Sequence, residues 1–111
     1  MAAEPAPRLP AHLEVSGLIR AVEAAGGFAT VIAKGERDAG TLLVICLERG
    51  GPAQAFERMP QADGSRAWIV AKLQDAEEPA AFWDFIERRR RQDGDLWVVE
   101  LDIADAKRFI G

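Results

Sequence analysis

The chain has 111 residues, with 14 Lys+Arg against 18 Asp+Glu and a formal net charge of -4. That length supports one domain, and 49% apolar with 29% charged residues is the composition of a globular chain rather than a disordered one. A single Cys (Cys46) excludes an internal disulfide, and with a single His (His12) it excludes a His/Cys zinc site.

Residues 1–8 are rich in Ala and Pro and predict a flexible arm, leaving 9–111 as a single domain. No basic start followed by an apolar run marks a signal peptide, and no stretch of about 18 apolar residues predicts a membrane span. The expected compartment is therefore the cytoplasm, with Cys46 reduced. Pro10 opens a predicted helix over 10–25, with Leu13, Leu18, Ile19, Val22 and Ala25 near one face and Gly26-Gly27 as its stop. Residues 28–34 are rich in β-branched side chains and predict a strand. The turn-forming run 35–40 follows, then a second strand over 41–48 that is apolar on both faces and so belongs inside a sheet. This pair reads as a hairpin.

After the break at 49–52, a third strand is expected over 53–59 and a fourth over 66–72, with Asp63-Gly64 between them as a turn signal. A second helix starts between Asp75 and Pro79. Phe82, Phe85, Ile86 and Arg89 form its inward stripe, and Asp84–Arg88 and Glu87–Arg91 are spaced for ion pairs. A fifth strand over 95–103 and a short C-terminal helix capped by Asp105 complete the order. The predicted fold is α+β. It has an antiparallel sheet of about five strands, a four-strand meander plus a fifth after a helix, packed with two main helices. The expected strand order is 5-1-2-3-4.

Several stretches carry a family resemblance. They are Leu9-Pro10-Ala11-His12-Leu13-Glu14-Val15, Gly26-Gly27-Phe28-Ala29-Thr30-Val31, Lys34-Gly35, Asp38-Ala39-Gly40 and Arg49-Gly50-Gly51. Glu87-Arg88-Arg89-Arg90-Arg91-Gln92-Asp93 and Asp95-Leu96-Trp97-Val98-Val99-Glu100-Leu101-Asp102 belong to the same set. As a set they resemble the bacterial family catalogued as domain of unknown function fourteen ninety-one, over about residues 8–110. The resemblance implies a short single-domain bacterial protein with no assigned activity, and it transfers no catalytic residue.

Candidate sites follow from residue chemistry. Arg88, Arg89, Arg90 and Arg91 are candidate anion-binding residues for phosphate, RNA or an acidic partner. Successive helical residues point about 100° apart, however, and the flanking acids neutralise much of the charge, so an ion-paired helix end is the favoured reading. His12 is a candidate polar residue near a helix start, without an evident nucleophile. Glu100 and Asp102 share one face of the fifth strand as a candidate polar pair. The competing reading is the charged face of an edge strand. Cys46 reads as a buried, inert thiol. Trp83, offset from the apolar stripe of its helix, is a candidate partner contact.

This inventory points away from an enzyme and implies no cofactor or metal. It favours a cytoplasmic, non-enzymatic protein-interaction or self-associating domain, whose partner is an unknown protein or a second copy. Nucleic-acid or anionic-ligand binding through the Arg run is the alternative. A small enzyme using carboxylates or His12 is the second.

Overall fold

The structure, a computed structural model, describes residues 9–48 and 51–110. The expected arm at 1–8 and part of the break at 49–52 lie outside the described residues. Helix α1 spans Ala11–Ala24, followed by strands β1 (Phe28–Ala33), β2 (Leu42–Leu47), β3 (Gln54–Pro60) and β4 (Arg66–Leu73). Helix α2 (Pro79–Gln92), strand β5 (Trp97–Asp102) and a 3-10 turn at Ala106–Phe109 complete the order. The element sequence matches the expectation, with Pro79 in the first turn of α2 and Gly26 left-handed after α1. Asp105 does not cap the C-terminal turn through its side chain. It takes the left-handed backbone itself, at φ 52°.

The sheet corrects the predicted topology. Its order is β1-β5-β2-β3-β4 rather than 5-1-2-3-4, and it is mixed rather than purely antiparallel. β2, β3 and β4 form the expected antiparallel meander. β1 and β2 do not form a hairpin, because β5 inserts between them, antiparallel to β1 and parallel to β2. The physical reason lies in the apolar pattern. β2 is buried on both faces from Leu42 to Cys46, and so is β5 with its lead-in from Leu96 to Val99. Two doubly covered strands belong side by side at the centre of a sheet, whereas β1 is half-exposed and fits an edge.

The loop at 35–40 makes this insertion feasible. It is a seat for the start of β5 rather than a tight turn. Glu36 N–H donates to the Asp95 carbonyl at 3.0 Å, and Trp97 N–H donates to the Thr41 carbonyl at 2.8 Å. The Trp97 indole N–H reaches the Glu36 carbonyl at 2.7 Å. Gly35 and Gly40 let the backbones meet, since a Cβ at either would run into the Asp95 carbonyl oxygen. The Glu36 carboxylate, in turn, accepts N–H donors from Asp38 (2.9 Å) and Ala39. These bonds hold its carboxyl below the usual carboxylate range, the Ala39 bond foremost.

The helices cover opposite faces. On one side Ala11, Val15 and Val22 of α1, with Ala106 and Ile110, pack on Leu42, Val44, Phe56, Trp97, Val99 and Leu101. Leu13, expected on the inner stripe of α1, is exposed. On the other side Phe82 and Ile86 of α2 pack on Leu43, Ile45, Ala53, Ala55, Leu96 and Val98. Each large apolar side chain buried in these layers contributes about 1.5–3 kcal/mol of transfer free energy.

Candidate functional site

The Arg run does not form one patch. Arg89 crosses from α2 to pair with Glu57 of β3, and Arg90 pairs with Glu87 at 2.8 Å. That contact replaces the expected Glu87–Arg91 spacing. Arg90 and Arg91 share a recess of about 260 Å³ with Lys34, but Glu87 and Asp93 line it too. Arg88 is exposed on another side of the helix. The sequence-predicted anion site is thus divided between a structural pair, a helical pair and a mixed-charge recess.

His12 fastens α1 to the 35–40 loop. Its main-chain N–H and its ring both bond the Arg37 carbonyl, at 2.9 and 3.1 Å, and the ring lies 3.9 Å from the Asp38 carboxylate. Drawn as the Nδ1–H tautomer, the ring is a donor to that carbonyl. The neighbouring Ser16 hydroxyl donates to the His12 main-chain carbonyl at 2.9 Å, not to the ring. No nucleophile–base pair is built here.

Glu100 and Asp102 lie on a central strand, not the edge strand expected from sequence. By alternation with Val98 they face the α2 side, opposite Thr30 and Phe28 of β1. The Glu100 carboxylate makes no hydrogen bond or ion pair among the described residues. Burial, and then the Asp102 charge, raise its carboxyl above the usual range. Cys46 is buried beneath the α1 face, and its thiol is pushed up to about 11, by burial first and then by the Glu48 charge. Among the described residues no group of three or more His, Cys, Asp or Glu could hold a metal ion.

Trp83 is 38% exposed and rests edge-on against Phe82, with ring centroids 5.0 Å apart. Glu87 and Arg90, at i+4 and i+7 from it, line the recess with Ala33 of β1 and Lys34 just after it. Trp83 therefore stands on the flank of α2 that looks toward β1.

Sequence reasoning missed two surfaces. One is the outer edge of β4, where Ile69 (44% exposed), Val70 (51%) and Leu73 (57%) stand along a strand with no outer neighbour among the described residues. Ile69 lies beside Glu57 on the α2 face, and Val70 beside Phe56 on the α1 face. The exposure thus belongs to the edge and not to one face. The signal available in sequence was the run Trp68-Ile69-Val70-Ala71, apolar enough for a sheet centre yet placed last in the meander. The second surface is a groove on the α1 face holding a partly buried ion pair. Arg58 of β3 bonds both carboxylate oxygens of Glu14, Nη2 to Oε2 at 2.7 Å, and lies 5.1 Å from the centre of the Trp68 ring. Nothing in the spacing of positions 14, 58 and 68 announces this contact.

A mixed five-stranded sheet with one helix on each face defines a small three-layer α+β domain. The family described as "Protein of unknown function (DUF1491)" matches residues 9–111, and the chain belongs to it. Among solved structures, the crystal structure of a DUF1491 family protein from Caulobacter crescentus is similar, at 36% identity and a TM-score of 0.79. The match covers 92% of this chain and 94% of that one. A solution structure of a protein from A. tumefaciens matches at 38% identity and a TM-score of 0.69, over 89% of each chain. No curated protein matches the chain. No helix among the described residues is long and apolar enough to cross a membrane.

Proposed function

We propose that this chain is a non-enzymatic interaction domain of the cytoplasm that self-associates through the outer edge of β4. The observation that carries this reading is the apolar exposure of Ile69, Val70 and Leu73 on β4, whose outer edge has no partner strand among the described residues. An edge strand presents unpaired N–H and C=O groups, and an added strand satisfies them while covering side chains on both faces. A second copy is the partner that fits this edge most simply. Antiparallel pairing of two β4 edges about a two-fold axis satisfies the open main-chain groups of both strands at once and covers the exposed apolar side chains of both. The irregular register at Ala55/Phe56 confines regular pairing to the first part of the strand, so the interface is small. Interfaces below about 1,200 Å² are typically weak and reversible.

The test is sedimentation equilibrium over a concentration series. The wild type should pass from monomer to dimer, and Val70→Lys should remain monomeric with an unchanged circular dichroism spectrum. A wild type that stays monomeric to millimolar concentration, or a Val70→Lys variant that dimerises equally well, would overturn the reading. Trp83 is assigned to a separate contact on the α2 flank, which Trp83→Ala should weaken without altering the dimer.

The recess of Lys34, Arg90 and Arg91 supports anion binding as a second reading. In that case affinity for RNA or phosphate falls steeply with salt and is lost in an Arg90→Gln/Arg91→Gln variant.

A further inference from the structure

The α1 face carries a groove of about 470 Å³ walled by Gly17 and Leu18, by Arg58 and Trp68 from the sheet, and by Arg108 and Phe109 from the C-terminal turn. Three observations make it more than a gap in packing. The first is charge. Two guanidiniums, Arg58 and Arg108, border the groove against one carboxylate, Glu14. The second is unfilled hydrogen-bonding capacity. The Arg58 side chain is only 13% exposed, and Glu14 takes bonds from its two terminal nitrogens, while Nε is buried with no partner among the described residues. A guanidinium carries five N–H donors, and burying them short of acceptors is costly. Arg108 spends one bond, on the Ala104 carbonyl at 3.2 Å, and lies 4.6 Å from the centre of the Phe109 ring. The third is the wall. Gly17 sits mid-helix, where Gly is unfavourable, and a Cβ there would meet nothing within 4 Å. Its absence keeps the helix side of the groove open.

We infer that this groove binds a small organic carboxylate with a flat apolar body. The carboxylate meets the Arg108 guanidinium beside Arg58, and the body lies between Leu18 and Phe109. The volume falls within the range of small-molecule sites, about 300–1,000 Å³. The lining is mixed, with Leu18, Trp68 and Phe109 as apolar walls beside the charged groups of Arg58, Arg108 and Glu14. The inference is independent of the β4 edge.

The test uses the full chain and 2-naphthoate, with 2-naphthylmethanol as the neutral isostere and inorganic phosphate as the bare anion. Binding is followed by indole and amide shifts in nitrogen-15 NMR spectra. Saturable binding of 2-naphthoate should shift the Trp68 indole and the Gly17 amide. The alcohol should bind at least about tenfold more weakly, as expected for loss of a charged hydrogen bond. Phosphate should leave both signals in place. Arg108→Gln should reduce 2-naphthoate to the level of the alcohol. Gly17→Leu fills the open wall with a better helix former, so it should fold at least as stably and lose binding. The inference is overturned by the absence of saturable shifts, by equal binding of phosphate, or by a folded Gly17→Leu variant that binds as the wild type does.

Discussion

Replacing Gly35 and Gly17 by Ala makes the same chemical change with opposite expected signs. At Gly35 the new Cβ overlaps the Asp95 carbonyl oxygen and comes within 2.6 Å of the Leu96 carbonyl carbon. Both neighbours are backbone, so only a shift of the start of β5 relieves the overlap. Overpacking of this kind costs roughly 1–3 kcal/mol. The shift also strains the Glu36 N–H bond to Asp95, worth about 1 kcal/mol. A loss of about 3 kcal/mol follows, and at about 4–8 °C per kcal/mol for a chain of this size the midpoint should fall by about 12–24 °C. At Gly17 nothing opposes the methyl group, and Ala is the better helix former. Stability should rise by about 0.5–1 kcal/mol, or about 2–8 °C. Thermal melts followed by circular dichroism, in parallel and at one protein concentration, give both numbers. If Gly35→Ala melts with the wild type, the seating of β5 against this loop is refuted, and a fall for Gly17→Ala would refute the open space at that position.

Phe82→Ala should cost about 3–5 kcal/mol, read as a lower midpoint in urea, because the ring is fully buried between α2 and the sheet. Glu100→Gln should stabilise at neutral pH. The folded-state pKa of Glu100 is raised, so its ionisation weakens the fold as pH rises from the unfolded value through the folded one. The gain should vanish below about pH 4, where the unfolded-state carboxyl is protonated as well, and a gain that persists there would contradict the assignment. The Cys46 thiol, with a pKa pushed up to about 11, should resist alkylation at pH 8 in the native protein and react promptly in denaturant. Rapid native labelling, timed by mass spectrometry, would contradict its burial.

Much of the element order was legible because it rests on local chemistry: Pro79 at a helix start, apolar runs broken by turn residues, Gly26 after α1. The strand order was not, although the clue was present. Residues 96–99 are as uniformly apolar as 42–46, and two such runs compete for the same central position. The turn residues of 35–40 point to β1 and β2 as partners, because chain proximity is a local signal and the covering that β5 requires is not. The site residues divide in the same way. Cys46 was legible because a β-branched apolar run buries its own thiol. The Arg89–Glu57 and Arg58–Glu14 pairs join positions 32 and 44 residues apart, and no local pattern encodes them. The open edge of β4 becomes visible only once the neighbours of every strand are known.

The central place of β5 also sets the order in which this molecule comes into being. Thr30 faces Glu100, and Val44 faces Val99, so the middle of the sheet joins chain segments made far apart in time. During synthesis β1 and β2 leave the ribosome long before the strand that will lie between them, and until it arrives one edge of β2 lacks its partner strand and the layers under α1 and α2 lack the apolar side chains of residues 96–101. Contacts of such long sequence separation slow folding relative to a chain of local hairpins. The last strand is thus a keystone, and its arrival converts a partly exposed nascent chain into a closed three-layer fold.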